Sequence, residues 1–137
     1  MELLEGFAYS QKKKLVFHNK SSHKLVTDAM LLERAFSNIA SNCIRYAKET
    51  VTVSLTEAEN GVILTIMDDG PGIREEEIDV IFDRFHKGAN GNHGLGLAIA
   101  KLSLEYMGGS VRAISMATGA VFEMTLPNDC RKFAPEE

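Results

Sequence analysis

Residues 62–72 read VILTIMDDGPG, an almost continuously apolar run followed by two carboxylates and a Gly-Pro-Gly turn. The apolar run predicts an interior strand of a sheet. Because Asp68 follows that strand directly, a rigid element positions its carboxylate, and Gly70 and Gly72 allow a ligand ring to approach the backbone closely. This arrangement suits the recognition of an amino group. A simpler interpretation stays open, since Asp68 or Asp69 could merely cap the turn.

The sequence on either side of this strand predicts a mixed sheet. Residues 51–55 alternate between apolar and polar side chains, which is typical of a strand with one face in water. Asn60-Gly61 predicts a tight hairpin between these two strands. The remaining strands are predicted at residues 15–17, more weakly at 24–26, and in a final hairpin of residues 111–116 and 120–126. Adjacent hairpins mixed with helices predict the α+β class: a two-layer α/β sandwich whose mainly antiparallel sheet has helices on one face.

The longest predicted helix covers residues 29–47, with Thr27 or Asp28 as its N-cap. Its apolar residues recur every three or four positions and form one buried stripe: Ala29, Leu32, Phe36, Ile39 and Cys43. The adjoining face carries Asn38, Asn42 and Arg45, with Tyr46 at the border between the two. Asparagine is a poor interior helix former, so the presence of both Asn38 and Asn42 suggests a function beyond helix formation. Shorter helices are predicted at residues 75–82 and at 95–107, the latter ended by Gly108-Gly109.

Two further features indicate phosphate and metal binding. Gly94-Leu95-Gly96-Leu97 opens the last helix, where free backbone N–H groups and the helix dipole favour phosphate oxygens. This glycine pattern is weak evidence alone, because it matches neither a Walker loop nor a Rossmann fingerprint and could be an ordinary helix start. The amide oxygen of Asn42 is a suitable Mg²⁺ ligand, and Arg45 could reach the phosphates. Together with Asp68, these segments predict a pocket for a purine nucleotide with bound magnesium.

Composition excludes several other classes of protein. The net charge of −4 and the pI near 5.6 argue against a protein that binds nucleic acid. Cys43 and Cys130 show no CxxC spacing, so neither a zinc site nor a redox pair is expected. No apolar run approaches the roughly twenty residues needed to span a bilayer, and the first residues lack the order of a signal peptide. A cytoplasmic location is therefore expected, which leaves open a membrane anchor in a parent protein.

Taken together, these motifs resemble the catalytic ATP-binding domain of two-component sensor histidine kinases, within the superfamily that includes the gyrase B subunit and MutL. The resemblance covers roughly residues 15–127. Its four ordered motifs are similar to the N box at residues 31–47, the G1 box at 68–73, the F box at 81–85 and the G2 box at 94–97. The fold that it implies is the Bergerat ATP-binding fold.

The resemblance also implies roles for individual residues, with ATP and Mg²⁺ as cofactors. Asn42 would be the magnesium ligand, Asp68 would contact the adenine amino group, and Tyr46 would pack beside the base. Arg45 and Lys87 would contact phosphates, and residues 86–93 would form the ATP lid. Further nucleotide contacts are implied at Gly70, Gly72, Ile73, Phe85, Gly94, Leu95, Gly96 and Leu97.

The chain departs from the family pattern at a few positions. Cys43 stands where alanine is usual, and it is interpreted as a small buried hydrophobe. Asn92 stands where a glycine or small residue often precedes the G2 box, and the lid is short. His86 and His93 border the phosphates, and both are interpreted as lid surface rather than as catalysts.

Asn38 bears on the type of reaction. Superfamily members that hydrolyse ATP carry a glutamate at this position, four residues before the magnesium asparagine, where it serves as a general base. An amide cannot accept a proton at neutral pH, so transfer of the γ-phosphoryl group is favoured over hydrolysis. The resemblance places the acceptor histidine on a separate helical hairpin, whereas His18 and His23 lie in or near predicted strands. Catalysis would then rest on positioning by Asn38, Arg45, Lys87, helix amides and Mg²⁺.

The expected domain organisation follows from these assignments. Residues 1–13 would be a linker helix at the end of a missing dimerisation and phosphoacceptor domain, 14–127 the ATP-binding catalytic domain, and 128–137 a polar tail. The expected partners are a histidine-containing dimerisation domain, in cis or in trans, and the receiver domain of a response regulator. No contact with nucleic acid or membrane is expected. Two alternatives stay open: a serine kinase of the anti-sigma-factor type, and a nucleotide-binding or dimerisation module without activity.

Overall fold

The computed structural model describes residues 2–19, 28–83, 96–116 and 118–129. In these residues the helices are α1 (Glu2–Ser10), α2 (Ala29–Tyr46), α3 (Glu75–Ile78) and α4 (Gly96–Tyr106). The strands are β1 (Lys14–Asn19), β2 (Thr50–Ala58), β3 (Gly61–Asp68), β4 (Ser110–Met116) and β5 (Gly119–Pro127). The weak strand expected at residues 24–26 lies outside the described residues.

The strands form one five-stranded sheet in the order β1-β2-β3-β5-β4. β1 pairs with β2 in parallel, and the other three pairings are antiparallel. The prediction of an α+β fold with a mixed, mainly antiparallel sheet is therefore confirmed. β3 lies between β2 and β5, as expected of an interior strand. At its end, Asp68 pairs with Val51 of β2, and Met67 pairs with Val121 of β5.

The hairpin between β2 and β3 differs from the prediction by one residue. Ala58 pairs with Gly61, so the two turn residues are Glu59 and Asn60, and Gly61 already belongs to β3. A Cβ on Gly61 would lie 1.8 Å from the carbonyl oxygen of Leu126 on β5. The glycine is thus required by the close approach of a neighbouring strand, and not by the turn.

α2 begins and packs largely as predicted. Asp28 is its N-cap, and its Oδ1 accepts hydrogen bonds from the backbone N–H groups of Met30 at 3.0 Å and Leu31 at 3.1 Å. Cys43 lies on the buried stripe, as do Phe36 and Ile39. The prediction for Ala29 was wrong: it is exposed, because the first turn of the helix lies beyond the core.

Helix α3 is shorter than predicted, and α4 ends close to its predicted end. α3 ends at Ile78, where the prediction continued to residue 82. Past that point Val80 and Asp83 donate their N–H groups to carbonyls three residues earlier, so the chain continues as tight turns instead of α-helix. α4 ends where Gly108 takes a φ of +79°, which confirms the predicted glycine stop.

One hydrophobic core lies between the apolar face of the sheet and the helices. From the sheet it includes Val51, Val53, Val62, Ile66, Phe122, Met124 and Leu126, and from the helices Ile39, Ile44, Ala100 and Leu104. Ala8 of α1 is 2% exposed and belongs to the same core, so α1 is docked onto this domain. None of the helices in the described ranges is long and apolar enough to cross a membrane.

Candidate functional site

The centre of the site is Asp68, the last residue of β3. Its side chain is buried, with 4% of its surface exposed. Oδ1 accepts hydrogen bonds from the backbone N–H groups of Gly70 at 2.9 Å and Ala120 at 3.4 Å. Burial raises the pKa of Asp68 above its usual value, although the hydrogen bonds partly oppose that effect. In the described ranges no backbone donor reaches Oδ2, which is therefore the oxygen that can accept a ligand's hydrogen bond.

Asp69 has a different role from its neighbour. Its Oδ1 accepts the backbone N–H groups of Lys48 at 2.8 Å, Glu49 at 3.1 Å and Thr50 at 3.2 Å. Burial by itself raises the pKa of Asp69, but these backbone donors outweigh it, and the net pKa is lowered. Asp69 is thus the carboxylate that secures the connection between α2 and β2. Asp68 also accepts the Gly70 N–H, so the capping interpretation holds in part for both residues.

The glycine turn is packed tightly on two sides. A Cβ on Gly70 would lie 2.1 Å from the carbonyl oxygen of Tyr46, at the end of α2. Gly72 has a φ of +84°, and a Cβ there would lie 3.0 Å from Oγ of Ser115. The same Oγ accepts the backbone N–H of Ile73 at 3.1 Å. The turn is therefore fixed between α2 and the hairpin of β4 and β5, which leaves it little room to change shape.

The β4–β5 hairpin contributes residues that sequence reasoning missed. Gly119 has a φ of +131°, and a Cβ on it would lie 1.9 Å from the backbone carbonyl oxygen of Asp68. Ala120, the next residue, donates to the Asp68 carboxylate. Ser115 binds the glycine turn from the other strand. The only available signal was a glycine between two predicted strands, which does not by itself reveal which loop the hairpin will contact.

The polar face of α2 faces the start of α4. Asn38, Asn42 and Tyr46 are half-buried on this helix. Oδ1 of Asn38 would lie 3.6 Å from a Cβ on Gly96, the first residue of α4. The side-chain amide of Asn42 forms no hydrogen bond with any described residue, so it is available to a ligand.

The structure places Arg45 away from this face. Its side chain is exposed, and its guanidinium carbon lies 5.5 Å from the centre of the Phe7 ring on α1. Nearby, Nζ of Lys13 donates a hydrogen bond to the carbonyl oxygen of Ala47, just past the end of α2. In this arrangement Arg45 contributes to the docking of α1, and a phosphate contact would require it to leave the Phe7 ring.

The interpretation of Cys43 as a small buried hydrophobe is confirmed, since it belongs to the hydrophobic core. It is completely buried, near the carboxylate of Asp68. Burial above all, and then the charge of the nearby Asp68, raise the pKa of Cys43 well above its usual value, so the group is a neutral thiol. Sequence spacing alone could not reveal that Cys43 and Asp68 lie close together, because they are on different elements.

Part of the predicted site lies outside the described residues: Phe85, Lys87, Gly94 and Leu95, together with the lid positions His86, Asn92 and His93. Leu97, on the first turn of α4, packs against the core. In the part of the chain that is described, no three His, Cys, Asp or Glu side chains form a group that could hold a metal ion. Mg²⁺ needs few protein ligands when waters and phosphate oxygens supply the rest, so the available Asn42 amide fits that ion.

Comparisons with known proteins agree with this geometry. Residues 27–129 match the family of histidine kinase-, DNA gyrase B- and HSP90-like ATPases. The sensor histidine kinase HprS of Escherichia coli is 33% identical over 131 residues, which cover 91% of this chain and 29% of that protein. The catalytic domain of the histidine kinase ThkA has a similar fold, with a TM-score of 0.85 at 21% identity over 96% of this chain and 89% of that one.

A third similar structure is full-length ShkA in complex with AMPPNP. It is 25% identical, with a TM-score of 0.83 over 92% of this chain and 28% of that one. The chain therefore belongs to the family of histidine kinase-, DNA gyrase B- and HSP90-like ATPases, which is a family of ATP-binding domains. The relative HprS is a sensor histidine kinase. The chain spans less than a third of its length, 29%.

Proposed function

We propose that this chain is the catalytic domain of a sensor histidine kinase. It binds Mg-ATP and transfers the γ-phosphoryl group to a histidine on a separate helical domain. A response regulator then receives the phosphoryl group from that histidine. The family match and the names of the relatives support this proposal, as do the residues of the site.

One observation carries the proposal: the environment of Asp68. A carboxylate that is 4% exposed at a strand end, with Oδ1 already bound by two backbone donors, leaves Oδ2 for a donor from a ligand. An adenine amino group is such a donor. A buried site that requires a hydrogen bond discriminates strongly against bases that cannot supply it, because its own polar group is then unpaired.

At the other end of the pocket, Asn42 supplies the Mg²⁺ ligand. Its half-buried amide has no partner among the described residues, and an amide oxygen is a suitable ligand for a hard cation. Magnesium neutralises charge that develops on the phosphates during transfer. The backbone N–H groups at the start of α4, at Gly96 and Leu97, favour phosphate oxygens, and Tyr46 packs beside the base. Lys87 completes the proposed set of phosphate contacts, and Arg45 would join it only by leaving the Phe7 ring.

Asn38 favours transfer over hydrolysis. It lies one helical turn before Asn42 and faces Gly96, close to where the phosphates would bind. A carboxylate at this position could accept a proton from water, whereas an amide cannot. The bound ATP should therefore persist until an acceptor histidine arrives. We expect Asn38 to hold and orient polar groups near the γ-phosphate without itself moving a proton.

Labelling with [γ-³²P]ATP tests the proposal. The chain is incubated with Mg²⁺ and a histidine-containing hairpin domain, and the phosphorylated product is exposed to acid and to base. We expect label on the hairpin that acid removes and base does not, as phosphohistidine behaves, with only trace ATP hydrolysis when the hairpin is absent. Two controls are the Asp68→Asn variant and a hairpin whose acceptor histidine is replaced by glutamine.

Three results would contradict the proposal, each in its own way. Acid-stable phosphate would indicate a serine kinase of the anti-sigma-factor type. Rapid hydrolysis without the hairpin would indicate an ATPase. Tight ATP binding with no transfer to the parent protein's own hairpin would indicate a nucleotide-binding or dimerisation module.

A further inference from the structure

The charge of Arg45 is held by an aromatic ring on α1. The guanidinium carbon lies 5.5 Å from the centre of the Phe7 ring, within the range of a cation–π contact. In the part of the chain that the structure describes, the guanidinium forms no ion pair with a carboxylate. The Arg45 side chain is also exposed. An arginine held only by such a contact is available to an anion, which binds it more strongly.

The position of Arg45 on α2 brings it near the proposed nucleotide site. Arg45 follows the proposed magnesium ligand Asn42 by three residues on the same helix. Side chains with this spacing are neighbours on a helix surface, with Cβ atoms about 5–6 Å apart. A guanidinium also matches the geometry of a phosphate, to which it can donate two parallel hydrogen bonds. A rotation of the Arg45 side chain is therefore enough to exchange the ring for a phosphate.

The Phe7 ring is fixed beside α2 by other contacts of α1. Phe7 packs against the hydrophobic core, and its neighbour Ala8 is 2% exposed. Just past the helix, Nζ of Lys13 donates a hydrogen bond to the carbonyl oxygen of Ala47, which follows α2. The ring therefore does not depend on Arg45 alone to stay in place, and it remains available to Arg45 as long as α1 is docked.

We propose that the Phe7 ring and the phosphates of a bound nucleotide compete for Arg45, so that the docked α1 lowers the affinity of the chain for ATP. This inference rests on the proposed role of Arg45 as a phosphate contact. The coupling is reciprocal, because a nucleotide that takes Arg45 weakens the docking of α1 by the same factor. That factor is about two- to fivefold, the strength of an exposed cation–π contact. An event that moves Phe7 away from α2 would then raise the affinity for ATP.

Substitutions at Phe7 separate the ring from the packing of α1. Phe7→Leu keeps an apolar side chain against the core but has no aromatic face for Arg45. Phe7→Met is a second variant without a ring, and its flexible side chain fits the site if leucine does not. Tyr9→Leu is the matched control, because Tyr9 lies on the same helix but is 86% exposed and is not the ring that Arg45 contacts. Arg45→Gln removes the charge and keeps a polar side chain.

The measurement is calorimetric binding of Mg-ATP and of adenosine, which has no phosphates. Phe7→Leu and Phe7→Met should bind Mg-ATP about threefold more tightly than the parent chain, because Arg45 no longer has to leave a ring. Their affinity for adenosine should equal the parent's, and Tyr9→Leu should match the parent with both ligands. Arg45→Gln should weaken Mg-ATP binding, and adding Phe7→Leu to it should have no further effect. Thermal unfolding first establishes which variants are folded.

The possible results distinguish this inference from the proposed function. Unchanged or weaker binding of Mg-ATP by the folded Phe7 variants would overturn the competition while leaving ATP binding intact. An equal gain for adenosine, an equal gain in Tyr9→Leu, or a gain that persists in the Arg45→Gln background would overturn it as well. If Arg45→Gln binds Mg-ATP as tightly as the parent, the phosphate role of Arg45 fails, and the competition fails with it. A parent chain that binds no Mg-ATP would contradict the proposed function itself.

Discussion

Gly70 lies against the carbonyl oxygen of Tyr46, so closely that a Cβ on the glycine would lie 2.1 Å from that oxygen. The contact joins the turn after β3 to the end of α2, and both elements carry residues of the proposed nucleotide site. Because the neighbouring atom is backbone, it cannot move aside as the end of a flexible side chain could. Any side chain at position 70 therefore separates the two elements.

We accordingly expect Gly70→Ala to destabilise the protein by about 2 kcal/mol or more, the usual cost of forcing atoms into a filled space. Gly6→Ala is the matched control, because nothing lies within 4 Å of a Cβ at that helical position. The control should be neutral or slightly stabilising, since alanine favours a helix more than glycine does. Unfolding in urea measures both, and equal stabilities for the two variants would contradict the packing described for Gly70.

Asp69 should make stability depend on pH. The folded protein lowers the pKa of this carboxyl below its usual value of 3.8 through the backbone donors of residues 48–50, despite the opposing effect of burial. The ionised group therefore adds stability at neutral pH, and that contribution is lost as the pH falls through its lowered pKa. Asp69→Asn keeps an acceptor but loses the charge, so we expect it to lower the free energy of unfolding by about 1 kcal/mol at pH 7.

The difference between parent and Asp69→Asn should shrink as the pH falls from 3.8 towards the lowest pH at which both remain folded. Denaturant unfolding across this range measures it. Glu59→Gln, at an exposed acid in the β2–β3 turn, is the charge-matched control and should show no comparable loss. A difference between parent and Asp69→Asn that stays constant with pH would mean that the Asp69 charge is not what secures residues 48–50.

Docking of α1 should depend on the Phe7 side chain. The ring is half-buried and carries the Arg45 guanidinium at 5.5 Å, whereas Tyr9 on the same helix is 86% exposed. Phe7→Ala should therefore lower the free energy of unfolding by about 1–2 kcal/mol and speed hydrogen exchange in α1. Tyr9→Ala removes an aromatic ring without these contacts and should do neither. Equal effects of the two substitutions would show that the stacking on Phe7 adds nothing to docking.

Prediction from the sequence succeeded for features that depend on residues near one another along the chain. Strands in adjacent hairpins and the helical period of α2 depend on neighbours along the chain, so the mixed sheet and the face with Asn38 and Asn42 could be predicted. The position of Asp68 at the end of β3 is confirmed for the same reason. Its function could be suggested only because several motifs occur together in order.

Other features depend on tertiary contacts and could not be predicted. The different roles of Asp68 and Asp69 arise because residues 48–50 lie beside one carboxylate and Ala120 beside the other. Gly61 was predicted to be a turn residue, but a glycine is needed there because β5 approaches so closely that a Cβ would clash with it. The position of Cys43 near Asp68 follows from the packing of α2 on β3. Arg45 was expected near phosphates, and its contact with Phe7 depends on where α1 docks.

Magnesium should strengthen nucleotide binding through Asn42. In Asn42→Ala the gain in ATP affinity on adding Mg²⁺ should fall by about tenfold or more, a loss typical of substitutions around a metal site. Calorimetric titrations with Mg²⁺ and with EDTA measure this gain. Asn60→Ala, in the exposed β2–β3 turn, is the matched control and should retain the parent's gain. If Asn42→Ala keeps the same dependence on Mg²⁺ as the parent, Asn42 is not the metal ligand.

The central claim is that the buried Asp68 carboxylate accepts the amino group of adenine, and calorimetric titration of Asp68→Asn with Mg-ATP tests it most directly. The variant keeps the shape of the side chain but replaces one acceptor oxygen by a donor, so a matching thermal unfolding curve would show that the fold is retained. The account predicts clear binding by the parent chain and a loss of about a hundredfold or more in affinity in the variant. Equal affinity of the folded variant and the parent would contradict it.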